Sequence, residues 1–165
     1  MANSEIIGSA KNKIIKEFIK DINIIQAIGN ESVTSVGNGE KLVGTSIFTY
    51  NQNPNTINEV KTFITVQVHI QNGLTSNYTY VQPVVEIYIF SHESHMRVDN
   101  IKKITDNRND YLSKLIDAKL NGKRNFGIGE LKLTSNTEGS YQRDYLYRRL
   151  IFEGTDLNNS LCNEE

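Results

Sequence analysis

Apolar residues recur at three- and four-residue intervals between positions 11 and 28. Ile14, Ile15, Phe18, Ile22, Ile25 and Ile28 fall on one stripe, with Lys11, Lys13, Lys16, Glu17, Lys20 and Asp21 opposite. That spacing predicts a single amphipathic helix, stopped by Gly29-Asn30. Its β-branched content weakens intrinsic helicity, so burial of the stripe has to hold it. Residues 29–58 are rich in Asn, Gly, Ser and Thr, and only Ser46 to Tyr50 reads as a strand. The period then changes to two. Ile64, Val66, Val68 and Ile70 share one face of a strand over 60–71, with Phe63, Thr65, Gln67 and His69 on the other. Asn72-Gly73 leads to a second strand from Thr79 to Phe90, where Pro83, Val85, Ile87 and Ile89 oppose Val84, Glu86, Tyr88 and Phe90. Both of its faces are largely apolar, which predicts a central position in the sheet.

A second helix is expected over Asn109–Leu120, with Tyr111, Leu112, Leu115, Ile116 and Leu120 buried. Asn107 or Asn109 is the N-cap, and Asn121-Gly122 the stop. Two more strands, roughly 129–135 and 144–153, flank Asn136-Thr137-Glu138-Gly139-Ser140, which reads as a hairpin turn. The expected fold is therefore α+β: a mainly antiparallel sheet with two helices packed on one face. It forms one domain over residues 1–157, followed by a polar tail at 158–165. The outer sheet face, carrying Glu86, Tyr88, Phe90 and Phe63, is only partly polar, and a neighbouring subunit is its expected cover.

Composition narrows function mainly by exclusion. A formal net charge of −1 gives the whole molecule no general attraction for nucleic acid or an anionic membrane. No apolar run approaches the length of a spanning helix, so no membrane partner is expected. The start, Met1-Ala2-Asn3-Ser4-Glu5, has none of the features of a signal peptide, and the lone Cys162 cannot form an internal disulfide. Both predict assembly in a reducing cytoplasm.

Candidate chemistry is sparse. His92 and His95, three apart, could face one metal with Asp99, but the segment directly follows a strand and a third strong ligand is not evident. Ser91 beside His92 lacks the geometry of a Ser–His pair, and nothing matches a nucleophile elbow. Gly127-Ile128-Gly129 precedes a strand and not a helix, so it reads as a tight turn and not a phosphate cradle. No catalytic residue, cofactor or metal is expected, and the chain is not read as an enzyme. All six arginines lie in the second half. Arg148 and Arg149 point to opposite faces of one strand, whereas Arg143 and Arg149 share parity if that strand begins early. Ion pairing across a subunit boundary suits Arg143, Arg148 and Arg149, beside Tyr88 and Phe90. A nucleic-acid surface built from these arginines with Tyr141, Tyr145 and Tyr147 would need a denser basic stripe.

The order helix, long hairpin, helix, strand pair resembles bacteriophage tail-terminator (tail-completion) proteins. It is carried by Ile14–Ile28, Phe63–Phe90, Asn109–Leu120 and Leu131–Glu153. Within it, Val85 to His92, Arg108 to Leu112 and Phe126 to Leu133 are similar in flavour to small neck and tail proteins of phages. The resemblance implies a homo-hexameric ring in the virion, at the head-proximal end of the tail. Such a ring would end polymerisation of the tail tube protein, meet a head–tail connector or stopper protein, and let DNA pass without sequence-specific binding. A head–tail joining or stopper ring is the near alternative.

Overall fold

The computed structural model describes residues 3–72 and 79–157. The polar tail expected at 158–165 and the connection expected after Asn72 (residues 73–78) lie outside the described residues. Among the described residues there are three α-helices, not two: α1 (Asn3–Ile19), α2 (Ile22–Ile28) and α3 (Arg108–Leu120). The single helix expected over 11–28 is divided at Lys20-Asp21. Asp21 adopts an extended conformation and its carboxylate accepts from the amides of Asn23 and Ile24, so it caps a new helix instead of continuing the old one. The break resets the helical phase. Ile24 is fully buried, while Ile22, expected in the stripe, is 38% exposed.

Among the described residues six strands form one sheet: β1 (Ile47–Phe48), β2 (Thr62–Asn72), β3 (Tyr80–His92), β4 (Lys132–Tyr141), β5 (Tyr145–Glu153) and β6 (Asp156–Leu157). Their order is β1-β2-β3-β5-β4, with β6 beside the start of β3. The sheet is mostly antiparallel, but β1 runs parallel to β2. As expected, β3 is central, with β2 on one side and β5 on the other. Its proline is tolerated for a specific reason. Ladder bonds alternate along antiparallel strands, and the amide of Ile64 donates outward to Ser46. Counting across from there, odd residues of β3 face β5, and Pro83 falls one position beyond β5's last partner, Val84 with Glu153.

The segment Asn136–Ser140 is strand, not turn. It lies within β4, and the hairpin closes at residues 142–144, where Gln142 takes a positive φ of 56°. Its polar residues read as a turn because β4 is an edge strand exposed to solvent along most of its length. Gly139 is there for packing. A Cβ at that position would lie 2.6 Å from the Tyr147 ring, which crosses the strand at that point.

The main core lies between the helices and one sheet face. Ile14, Phe18, Ile25, Leu112 and Ile116 meet Ile64, Val66, Ile87, Leu150 and Phe152. Phe126, Ile128 and Leu131 close its end, and Gly129 (φ 75°) lets the chain approach the carbonyl of Thr155.

Candidate functional site

The opposite face of the sheet holds a second, aromatic cluster. Phe48, Phe63, Phe90 and Tyr145 are buried, and Ile57, Tyr88, Tyr141 and Tyr147 pack around them half-buried. Strand alternation puts them together, because Phe63 pairs with Phe90 and Phe90 with Tyr147 in the ladder. Phe63 and Phe90 stack with centroids 5.0 Å apart, and Tyr88 stacks on Phe90 at 5.5 Å. Part of the cover comes from the chain itself. The segment after β1 folds over this face: Pro54 is buried, the Tyr141 hydroxyl donates to Asn53 Oδ1, and that of Tyr145 to the carbonyl of Glu59. What remains open is a cleft of about 270 Å³ lined by Asn51, Asn53, Pro54, Tyr88, Phe90, Tyr141 and Tyr147.

The five residues singled out in the sequence separate here. Tyr88, Phe90 and Arg149 come together on the aromatic face. The Arg149 guanidinium donates to Glu86 at 2.5 Å and lies 5.7 Å from the centre of the Tyr88 ring. The adjacent Glu86 carboxylate holds the Arg149 pKa above its ordinary value. Tyr88 is raised too, first by burial and then by Glu86. Arg148 points to the other face, as strand parity requires. It reaches the first turn of α3, where Asp110 lies 2.5 Å away, and also bonds Glu138 and Asn136. Arg143 sits in the turn between β4 and β5, so the strand does not begin early enough for it to share a face with Arg149.

The histidine-containing segment is structural. His92 Nδ1 accepts from the amide of Ser94, and Asp99 pairs with Arg97. His95 instead ends a buried polar chain whose protons can be assigned. Asn109 donates its amide to the Leu146 carbonyl, which leaves Asn109 Oδ1 to accept from Ser91. Thr62, 2.7 Å from Ser91, must then donate to Ser91. It therefore accepts from His95 Nδ1 at 2.8 Å, so that nitrogen carries the hydrogen. Among the described residues no group of three or more His, Cys, Asp or Glu side chains is placed to hold a metal.

Burial, then the neighbouring Arg108 charge and His92, pull the His95 pKa down to about 4. The unfolded chain takes up this proton below its ordinary value of about 6.5, while the folded chain resists until about 4. Stability is thus fully present above that upper value and is lost as pH falls through the window. The ring is half-exposed, so the expected loss is only roughly 1–2 kcal/mol. Urea midpoints at pH 7 and pH 4.5 should show it, and His95→Asn should remove most of the difference. An unchanged difference in that variant would assign the acid sensitivity elsewhere.

Sequence reading missed Arg108, which is 3% exposed. Nε donates to the His95 carbonyl, Nη1 to that of Ala27 and Nη2 to that of Arg97, at 2.6–2.7 Å. One guanidinium therefore ties the end of α2, the segment after β3 and the start of α3. Its position, next to a good N-cap at Asn107, looks solvent-facing in the sequence; only the fold reveals three converging carbonyls.

These features define an α+β protein with a helical layer on one sheet face and a half-covered aromatic layer on the other. The chain belongs to the YomW family, whose model matches residues 11–153, and the match points to a phage-associated protein. No curated protein matches the chain.

Proposed function

We propose that this protein is a virion structural component that assembles into a ring at the head-proximal end of a phage tail. There it ends growth of the tail tube and joins the tail to the head connector. The tail-terminator resemblance implies six copies. The observation that carries the reading is the grouping of Tyr88, Phe90 and Arg149 around an open cleft on the second sheet face. Tyr88 and Arg149, half-buried above the buried Phe90 and backed by the sheet, are of the residue types that protein contacts use as anchors. The YomW match agrees with a phage setting. The net charge of −1 suits a ring through which DNA passes without being gripped.

Electron microscopy of the purified protein, with its mass in solution, tests the proposal. Rings of countable symmetry are expected, at a multiple of the 18.7 kDa chain mass. Tyr88→Glu should weaken association by roughly 30-fold or more, the effect of losing an anchor worth about 2 kcal/mol. The half-buried position of Tyr88 should leave the fold intact by circular dichroism. A protein that stays monomeric at every concentration, and is absent from purified particles, would overturn the reading. Co-purification with free tails supports the terminator role, and with tailless heads the joining or stopper role.

A further inference from the structure

Residues 51–59, which cross the aromatic face, are bonded well to themselves and sparsely to the sheet. Pro54 opens a short helical turn, Pro54–Thr56, that Asn53 caps by accepting from the amide of Asn55. The amide and the hydroxyl of Thr56 both donate to the Asn53 carbonyl, and the Ile57 amide donates to that of Pro54. Gln52 Nε2 donates to Thr56 Oγ1. Among the described residues, no backbone group from 50 to 60 bonds backbone outside the segment. Two tyrosine hydroxyls tie it to the sheet: Tyr141 donates to Asn53 Oδ1 at 3.2 Å and Tyr145 to the Glu59 carbonyl at 2.7 Å. Within the segment only Pro54 is buried, with Gln52 and Ile57 half-buried. Packing beneath it is incomplete as well. The cleft of about 270 Å³ adjoins a second of about 340 Å³, whose walls include Ile57, Glu59, His92, Asp144 and Tyr145. Pro54 and Tyr141 line both clefts and so stand between them.

We propose that residues 51–59 form a strap that lifts off the aromatic face as one piece, and that the neighbouring copy binds the single groove this opens. The proposal rests on the ring reading and adds a control to it. An unassembled subunit keeps much of its aromatic face covered, and a neighbour displaces the cover. Because the internal bonds travel with the strap, opening gives up only the two hydroxyl tethers, which water can replace, and the burial of Pro54 with part of Ile57. A loop bonded mainly to itself opens locally while the rest of the domain stays folded. The groove gained is continuous with the cleft that holds Tyr88 and Phe90, and it adds Tyr145 and His92 to the wall. It therefore extends the contact surface proposed above instead of creating a separate one.

If only the open form binds, raising its fraction tightens the apparent affinity by the same factor. Tyr145→Phe keeps a ring in the aromatic cluster and removes the tether at Glu59. It should tighten association about fivefold, the effect of one hydrogen bond, whereas loss of a fixed contact would weaken it. Cleavage of the dilute monomer after Glu59 by a glutamyl endopeptidase should quicken by the same factor, since it too follows the open population. Tyr141→Phe, which frees Asn53, should move both quantities in the same direction and stands in if Tyr145→Phe does not fold. Sedimentation gives the association constants, and circular dichroism checks the fold. A folded variant whose association is unchanged or weaker overturns the strap and leaves the ring reading standing, and so does unchanged cleavage after Glu59. A wild-type protein that never assembles removes both.

Discussion

Arg108→Ala is expected to lower unfolding free energy by about 3–5 kcal/mol, among the largest effects of any single substitution in this chain. Three backbone carbonyls, those of Ala27, His95 and Arg97, would each lose a charge-assisted donor, the first of them at a buried contact. Burial holds the guanidinium pKa below its ordinary value, yet it remains a cation, and the carbonyls around it replace its hydration. One of them ends α2, where the helix dipole favours positive charge. Arg108→Lys should recover little, because one ammonium cannot span three carbonyls held in a planar fork. Urea unfolding of both variants checks this. A loss below about 1 kcal/mol for the alanine variant would show that the three segments hold together without it. The same arginine depresses His95, so Arg108→Ala should also weaken the acid sensitivity of whatever folded protein remains.

Much of this architecture is legible in the sequence because it rests on period. The two-residue alternation from Phe63 to Ile70 and from Pro83 to Phe90 correctly sorts side chains between the helical and aromatic layers. An asparagine N-cap, Asn107 of the two expected candidates, and the central placement of β3 follow from local chemistry and from hydrophobicity on both faces. Failures occur where one residue has two local meanings. Asp21 in a helical pattern is a surface carboxylate or a cap, and only competition for the backbone decides. Asn136 to Ser140 has turn composition, but an exposed edge strand needs no apolar alternation, and Gly139 is explained by a ring eight residues later in sequence. The pairing of Tyr88 with Arg149 needs the register of β3 against β5, which neither strand encodes alone. Arg108 lies further out of reach, since its three acceptors come from residues 27, 95 and 97.

Phe90→Ala is expected to cost about 3–4 kcal/mol within the isolated subunit, and that bears on how the aromatic face can be probed. Phe90 is 4% exposed and touches Phe63, Tyr88, Tyr141 and Tyr147. Removing its ring opens a cavity beneath the cleft and takes away the surface on which Tyr88 lies. Phe90→Leu keeps most of the volume and should cost roughly 1–1.5 kcal/mol. Chemical denaturation of the two variants, at a concentration where the wild type is monomeric, separates this packing term from assembly. If Phe90→Ala unfolds within about 1 kcal/mol of wild type, the aromatic layer is not packed by the subunit alone and its order must come from a neighbour. With the expected large loss, a ring defect in Phe90→Ala reports a weakened subunit. The exposed rim, Tyr88 and Arg149 above all, is then the place where a substitution reads assembly directly, because its side chains are fixed by the sheet beneath and are only half covered by the chain that carries them.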